Sequence, residues 1–458
     1  MLVSEINTNK IVIEKIKSVK LGEYVISVKG KKPKKISTER TKECPYPYVN
    51  IKAFEKGVID EYTDGVGCVM CEEGDFLMVW DGSRSGYVGK GIKGALGSTL
   101  VKLNFPEIDN NYAYYFLQSK FVEINTRAKG VGIPHVDPNI LWNYELLIPS
   151  LKTQANIVSK IEELFSELDK GIENLKTAQL QLKTYRQAVL KWAFEGKLTE
   201  EWRAGMKNIS GYDVLSLIKS KRIELLSKSI SNGNAESNRT LKKIDKHIFK
   251  IPENVKIPKD WIWTSFLNAC FLVVDCHNKT APYQSDGIYL IRTSNIKNGK
   301  ILLNEKMKFV SEKTCEYWSK RCPPISGDIL FTREAPMGES AIIPPNTKVC
   351  MGQRLMLLRT FPELLVTKYL HYAIMDSMFQ ERMNGNAIGT GVKHLRVGDV
   401  EQLVFPICST DEQLKIVEEI ETRLSVADKM EESIYQSLQQ AEALKQSILK
   451  KAFEGKLI

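Results

Sequence analysis

The 458-residue chain lacks the marks of several common protein classes. Its longest strongly apolar stretch, around Phe266 to Val274, is too short to span a bilayer. The first twenty residues, Met1 to Lys20, alternate charged and apolar side chains and lack the continuous apolar segment of a signal peptide. The nine cysteines are odd in number and scattered, which predicts reduced thiols rather than a disulfide framework. We therefore expect a cytoplasmic protein.

Motifs for catalysis are also missing. The sequence contains no Walker A motif, no Asn/Asp-Pro-Pro-Tyr/Phe tetrapeptide of an amino-methyltransferase and no convincing cluster of metal-nuclease residues. Residues 89–94 fit GxGxxG, but the residues that follow favour a strand where a dinucleotide site needs a helix, so we predict a turn-rich loop. Cys68 and Cys71 form one CxxC without a second pair, which favours ordinary thiols over zinc. We predict no catalysis, metal or cofactor in this chain.

The chain repeats itself at long range. Residues 187–198 read QAVLKWAFEGKL and residues 446–457 read QSILKKAFEGKL, an offset of 259. The same offset relates the loop GVGIPH at 130–135 to GTGVKH at 389–394. Further upstream the offset drifts, but Asn50-Ile51-Lys52 still resembles Asn295-Ile296-Lys297, and Gly74-Asp75 resembles Gly327-Asp328. Each half therefore reads as a globular domain of about 150 residues followed by a long helix.

The repeat sets the predicted domain bounds. We predict a first globular domain over residues 1–150, a long helix over 151–203, an inter-repeat linker over 204–255, a second globular domain over 256–408 and a second long helix over 409–458. The apolar positions of the helices are spaced mostly three and four apart, with Gly196 and Gly455 placed to cap their ends. Such a narrow apolar stripe along a helix needs a partner helix to cover it, and the obvious partner is the long helix of the other repeat. In the helices these positions are Ile157, Ile161, Leu164, Leu168, Ile172, Leu175, Leu182, Val189 and Ala193, then Val417, Ile420, Leu424, Ala427, Ile434, Leu438, Ala441, Ile448 and Ala452.

The globular parts contain short β-rich runs separated by Gly, Pro and Asn turns, so the predicted fold class is α+β. We expect strands at Asp75 to Trp80, Thr99 to Leu103, Gly287 to Arg292, Asp328 to Thr332 and Leu355 to Arg359.

Candidate DNA-binding residues lie in the loops of both domains. Arginine can pair bidentately with guanine, glutamine with adenine, and glycine lets backbone amides approach phosphates. Arg84 and Arg333 occupy what look like matching positions after a strand. The net charge of +10 suits phosphate contact, although it is modest. Two alternatives stay open: the lysine-rich turn at 31–35 as a merely solvated turn, and the two histidines as structural loop residues. The candidates are Lys31, Lys32, Lys34, Lys35, Arg84, Lys129, His135, Arg333, Gln353, Arg354, Lys393 and His394.

Taken together, these features resemble the specificity subunits of type I restriction-modification systems. The resemblance covers essentially the whole chain and rests on the two AFEGKL copies, the Thr199-Glu200-Glu201-Trp202-Arg203 segment after the first, and the Pro258-Lys259-Asp260-Trp261 entry into the second domain. Before each helix stands an apolar-Pro pair, Ile148-Pro149 and Phe405-Pro406, followed by Gln154 and Gln413.

The resemblance implies a non-catalytic DNA reader. Each globular domain would be a target recognition domain for one half of a bipartite, asymmetric site in double-stranded DNA. The two helices would pack antiparallel as a spacer and dock two methyltransferase subunits, and restriction and translocase subunits would join that core. S-adenosylmethionine, ATP and magnesium would belong to the partners. The loop at Cys276 to Pro282 departs from the first domain's GKKPKK, being longer and poorer in glycine.

The repeated helix ends give a candidate docking surface for the methyltransferase: Trp192, Phe194 and Phe453. A packed helix terminus is the alternative for these aromatic residues. Two other classes of protein remain as rivals: a stand-alone methyltransferase or nuclease with unrecognised motifs, and a coiled-coil scaffold without DNA specificity. Methyl transfer or cleavage by the chain alone would identify the first, and the absence of any preferred DNA sequence would identify the second.

Overall fold

A computed structural model describes residues 17–130, 132–206, 210–231, 235–253, 255–303, 307–389 and 391–457. Parts of the predicted domains (1–16, 131, 304–306, 390 and 458) and of the predicted linker (207–209, 232–234 and 254) lie outside the described residues. The chain divides into two units. Unit 1 comprises Met1–Thr177 and Ile434–Ile458, and unit 2 comprises Ala178–Ser433.

Secondary structure alternates between short strands and helices in both units. The strands are β1 (Lys17–Lys20), β2 (Ile26–Lys29), β3 (Ile36–Ser37), β4 (Tyr46–Val49), β5 (Tyr62–Thr63), β6 (Met70–Cys71), β7 (Phe76–Val79), β8 (Val88–Lys90), β9 (Gly94–Leu96), β10 (Leu100–Asn104), β11 (Glu145–Ile148), β12 (Ile262–Ser265), β13 (Leu272–Asp275), β14 (Ile288–Ile291), β15 (Ile296–Lys297), β16 (Lys300–Ile301), β17 (Lys308–Val310), β18 (Ile329–Arg333), β19 (Met337–Ile342), β20 (Val349–Met351), β21 (Leu355–Arg359) and β22 (Val404–Ile407). The helices are α1 (Ile51–Lys56), α2 (Asn110–Thr126), α3 (Pro138–Leu141), α4 (Leu151–Phe194), α5 (Glu200–Ala204), α6 (Gly211–Ser231), α7 (Ala235–Asp245), α8 (Phe266–Ala269), α9 (Glu312–Trp318), α10 (Thr367–Met375), α11 (Ser377–Gly385), α12 (Val397–Glu401) and α13 (Thr410–Phe453), with short 3-10 helices at Leu21–Glu23 and Thr293–Asn295.

The same sheet is built twice. Unit 1 contains an antiparallel sheet in the order β2-β10-β7-β8, and unit 2 contains one in the order β13-β21-β18-β19. The registers agree: Val101 lies opposite Lys29 and Met78, as Met356 lies opposite Asp275 and Phe331. A parallel pair accompanies each sheet, β4 with β9 and β14 with β20. The predicted α+β fold with an internal two-fold repeat is confirmed.

The predicted turn at residues 89–94 joins two strands. Gly89 and Lys90 end β8 and Gly94 begins β9, so no helix follows the glycines. These residues therefore form a strand-to-strand connection and not a strand-to-helix phosphate loop.

The long helices α4 and α13 contain 44 residues each. Serine hydroxyls cap both starts: Ser150 Oγ accepts from the Thr153 amide at 3.3 Å and Ser409 Oγ from the Glu412 amide at 3.3 Å. Both ends close as predicted at glycines in the left-handed region, Gly196 at φ +75° and Gly455 at φ +70°. After each glycine the next amide donates back to the last turn of the helix, Lys197 to Trp192 O and Lys456 to Lys451 O, as in a Schellman motif.

The two helices pack antiparallel within each unit. In unit 1, Ile157 and Ile161 from the start of α4 share a core with Ile448, Leu449 and Ala452 from the end of α13. The order is reversed in unit 2, where the end of α4 packs with the start of α13 through Val189, Leu190, Ala193, Ile416 and Ile420. Each globular core is therefore completed by the end of the helix that follows the other globular domain. Full burial of such aliphatic side chains contributes roughly 1.5–3 kcal/mol apiece.

The predicted linker is largely helical. α6 spans 21 residues and buries Val214 and Ile218 in the core of unit 2. Among the described residues, no helix is both long and apolar enough to cross a membrane.

Candidate nucleic-acid interface

Four loops meet at one end of each four-stranded sheet. Because the strands alternate in direction, the carboxyl ends of β2 and β7 lie at the same end as the amino end of β10. The equivalent end in unit 2 joins β13, β18 and β21. We call these two ends the loop surfaces. They comprise residues 30–35, 80–87, 97–99, 129–130 and 132–135 in unit 1, and residues 276–282, 333–336, 352–354, 388–389 and 391–394 in unit 2.

Main-chain hydrogen bonds fix the loop surface of unit 1. The Trp80 amide donates to Thr99 O at 2.8 Å, and Trp80 O accepts from the Val136 amide at 2.9 Å. The Gly82 amide donates to Pro134 O at 2.8 Å. The loop after β7 is thus hydrogen-bonded both to the turn before β10 and to the glycine-rich loop. The side chains on these three loops are therefore held in fixed positions relative to one another.

Unit 2 repeats this frame. The Arg333 amide donates to Arg354 O at 2.9 Å, and Arg333 O accepts from the Leu395 amide at 3.1 Å. These bonds make Trp80 the structural counterpart of Arg333. The predicted match between Arg84 and Arg333 is therefore wrong, because Arg84 lies four residues further along a longer loop.

The repeated glycine-rich loops have one geometry. Gly130 and Gly389 adopt φ of +108° and +111°, and a Cβ at either position would lie 2.5–2.6 Å from a carbonyl oxygen of its own loop. Only glycine fits there. His135 and His394 close the loops through two-way main-chain bridges, to Lys129 and Ile388 respectively. These bonds involve only the main chain, so the roles considered for the two imidazoles, DNA contact or loop structure, both stay predictions.

The tips of these loops carry apolar residues that the candidate list missed. Ile133 is 70% exposed and Val392 is 58% exposed. The repeat offset of 259 already aligns the two residues, so the signal was present in the sequence. An exposed aliphatic tip beside polar loops is the kind of group that contacts a thymine methyl or a sugar edge.

The lysine-rich turn of unit 1 is solvent-facing. Lys31, Lys32 and Lys34 are exposed, whereas the Pro33 ring is buried. Lys35 forms an ion pair with Glu43, and that hydrogen bond raises the pKa of the lysine. Three ammonium groups are thus presented to solvent, where they can neutralise phosphates.

Two other predicted cations of unit 1 are held by partners in the unit. Arg84 stacks on the Tyr87 ring with 4.0 Å between the guanidinium carbon and the ring centroid, and it lies 3.3 Å from Glu55. Lys129 lies 2.8 Å from Asp137, and its hydrogen bond lowers the pKa of that carboxyl. Both residues reach the loop surface with part of their bonding capacity already used.

Arg333 is mainly a packing residue. Its side chain is only 16% exposed. Nη1 donates to Leu395 O at 3.2 Å and Nη2 lies 3.4 Å from Asp275 Oδ1. The guanidinium therefore joins Asp275 of β13 to the main chain of Leu395, and the base-reading role predicted for it does not fit this burial.

Gln353, Arg354 and Lys393 stand at the outer side of unit 2. Lys393 is exposed, Gln353 and His394 are half-buried, and the Arg354 side chain is 53% exposed. Arg354 Nε lies 3.1 Å from Glu334 Oε2. The structure thus gathers all five predicted residues of this domain, with four of them reaching solvent.

The candidate docking residues separate into two groups. Phe194 is buried beside Tyr369 at a ring-centroid distance of 5.2 Å, and Phe453 packs on Tyr112 at 5.1 Å and on Phe116. Trp192 is 44% exposed. Phe194 belongs to the core of unit 2, and Phe453 is half-buried against the core of unit 1, so both have the packed-terminus role, whereas Trp192 presents an exposed ring.

The fold and the two loop surfaces define a class: an internally duplicated α+β protein in which a helical pair joins two domains that present polar and basic loops. The family model described as the type I restriction modification DNA specificity domain matches residues 13–177 and 275–440. The chain belongs to this family. It is a DNA-recognition subunit without catalytic activity of its own, and such subunits assemble with methyltransferase and restriction subunits and bind DNA.

Curated relatives match this chain over most of its length. The type I restriction enzyme MjaVIII specificity subunit of Methanocaldococcus jannaschii is 24% identical over 452 residues, covering 96% of this chain and 92% of the relative. The EcoBI specificity subunit of Escherichia coli is 25% identical over 419 residues, covering 90% and 80%. A solved structure concerned with assembly and conformational transition of the type I R-M system superposes with a TM-score of 0.61 at 16% identity, covering 96% and 98% of the two chains, and supports the fold.

Proposed function

We propose that the chain reads a bipartite, asymmetric site in double-stranded DNA, with one loop surface for each half. The observation that carries this proposal is the duplication itself. The same four loops are held at the same end of the same sheet in both units, yet the side chains upon them differ. A duplicated frame with different side chains is what two different half-sites require.

The side chains of the two loop surfaces suit two kinds of DNA contact, to phosphates and to bases. In unit 1 the exposed Lys31, Lys32 and Lys34 supply phosphate contacts, with Lys129 and His135 at the neighbouring loop. In unit 2 the exposed Lys393 has that role, while Gln353 and Arg354 offer the amide and guanidinium groups that pair with purine edges. Phosphate contacts set affinity, and base contacts set preference.

The chain acts by directing partners. We propose that two methyltransferase subunits dock on its helices, with Trp192 as one exposed contact, and that restriction and translocase subunits join them. S-adenosylmethionine, ATP and magnesium serve those partners, and this chain binds none of them.

Binding selection on a randomised duplex pool tests the proposal. The full chain, in complex with its methyltransferase partner, is expected to enrich two short sequences separated by a fixed spacer that tolerates any base. Affinity for unselected DNA should fall steeply with salt. Enrichment of no sequence would leave the scaffold alternative, and methyl transfer by the chain alone would favour the enzyme alternative.

A further inference from the structure

The two units place one short turn at the same point of their loop surfaces. Gly97–Thr99 precedes β10, and Gly352–Arg354 precedes β21. The Gly97 amide donates to Val49 O at 2.9 Å, and the Gly352 amide donates to Ile291 O at 2.7 Å. We call these segments the glycine turns.

Close main-chain approach fixes the position of the glycine in each turn. A Cβ on Gly97 would lie 2.6 Å from Val49 O, and a Cβ on Gly352 would lie 2.6 Å from Ile291 O. No side chain can be accommodated at such a distance. Each glycine is therefore held at the same point before its strand. The residues that follow differ in backbone as well as in side chain, since Arg354 lies at φ +67° and Thr99 does not have a positive φ.

Those side chains do differ in chemistry. Unit 1 has Ser98 and Thr99, with short hydroxyls, where unit 2 has Gln353 and Arg354. Glutamine and arginine pair bidentately with adenine and guanine, whereas a hydroxyl gives one bond to several bases. We propose that the glycine turns are the specificity-determining elements of the two half-sites, and that Gln353 and Arg354 read purines of the half-site bound by unit 2. This inference rests on the proposed function.

The Gln353 amide is held in place by the neighbouring loop. Its Nε2 donates to Asn278 O at 3.1 Å, and its Oε1 accepts from Thr280 Oγ at 3.3 Å. Because a carbonyl can only accept, the Asn278 contact fixes which end of the amide is nitrogen. An amide carries two N–H donors and two carbonyl lone pairs. One donor and one lone pair thus remain, which is the pair that the N7 and N6 groups of adenine require.

Arg354 is oriented as well. Among the described residues its side chain pairs with Glu334 alone, through Nε, so the outer edge of the guanidinium with both Nη groups stays available for guanine O6 and N7. Its main chain lies at φ +67°, where non-glycine residues are uncommon. A bulky, exposed side chain on a backbone in that conformation fits a role for the side chain itself.

A cleft adjoins the turn of unit 2. Thr280, Tyr283, Arg292 and Thr293 line it together with Gly352–Arg354. Arg292 has a buried Nε without a hydrogen-bond partner among the described residues. The turn is therefore the wall of a concave polar surface and not an isolated projection.

The test compares base preferences of full-chain variants in the same complex and duplex pool. Arg354→Lys keeps the charge and the backbone demand but loses the planar fork. We expect it to lower the preference at one position of one half-site by roughly 10- to 100-fold, with unchanged affinity for unselected DNA. Gln353→Ala should relax a neighbouring position of the same half-site. Ser98→Gln should alter a position in the other half only.

Lys219→Ala, an exposed lysine within α6, is the control and should keep every preference. Thermal melts confirm that each variant is folded. The inference is overturned if Arg354→Lys and Gln353→Ala retain every base preference of the wild-type chain, or lose affinity evenly for all sequences. A wild-type chain without any enriched sequence is a different result, because it removes the proposed function itself.

Discussion

Trp261 Nε1 donates a hydrogen bond of 2.9 Å to Glu412 Oε2, joining the entry of the second globular domain to the first turn of α13. The other oxygen of the carboxylate accepts from Thr199 Oγ1 and from Arg203 Nε, both at 2.8 Å. The Glu412 side chain is buried. One carboxylate thus binds the two short motifs, at 199–203 and 258–261, that carried much of the family resemblance, and their role here is structural.

Replacement of Glu412 should destabilise unit 2. Glu412→Ala would leave Arg203 Nε, the Trp261 indole N–H and the Thr199 hydroxyl without their acceptor, at a cost of roughly 3–5 kcal/mol. Glu412→Gln keeps the shape and one acceptor oxygen and should cost less. Chemical denaturation followed by far-UV circular dichroism measures both, and equal stability of Glu412→Ala and the wild-type chain would contradict the prediction.

Arg333→Ala should act through structure and not through a base contact. Loss of the guanidinium removes the donor to Leu395 O and the closer of the two cations beside Asp275, which costs about 1–3 kcal/mol of stability. Binding to the half-site of unit 2 should weaken evenly for all sequences. Competition with half-site variants checks this, and a loss confined to one base pair would return Arg333 to the set of base readers.

Local features of the fold were predictable from the sequence because local residues determine them. The strand at Leu355–Arg359 was predicted with the bounds it has, and the glycine caps of both long helices follow from glycine's access to positive φ. The duplicated α+β architecture was predictable for the same reason, because each half of the sequence carries its own pattern of apolar residues and turns.

The pairing of the two long helices was predictable, but individual long-range side-chain contacts were not. Arg333 is buried by Asp275 and Leu395, which lie 58 and 62 residues away in the chain. Phe453 completes a core around Tyr112, from which it is separated by most of the sequence. No periodicity reports such contacts. The match between Arg84 and Arg333 failed because loop length differs between the units, which only the main-chain hydrogen bonds reveal.

Phe453 and Trp192 should separate stability from partner binding. Phe453→Ala removes a ring packed against Tyr112 and Phe116 and should destabilise unit 1 by roughly 3 kcal/mol. Trp192→Ala removes an exposed ring and should leave stability nearly unchanged while weakening association with the methyltransferase. Melting and co-purification are measured for both variants. Full co-purification with Trp192→Ala would exclude that residue from the docking surface.

His371 should make unit 2 sensitive to acid. Burial lowers the pKa of its imidazole to about 4, and Nδ1 lies 3.1 Å from Ser340 Oγ in the packing of α10 against β19. An unfolded histidine titrates near 6.5. Between about pH 6.5 and pH 4 the unfolded chain therefore binds a proton that the folded chain does not, so stability rises with pH in this window and falls on acidification. The slope from this group is at most about 1.4 kcal/mol per pH unit.

His371→Asn cannot titrate there and should flatten the curve of unfolding free energy against pH, although it costs some stability at pH 7. The free energy of unfolding is measured by denaturant titration at several pH values for both chains, and parallel curves would show that His371 is not the responsible group.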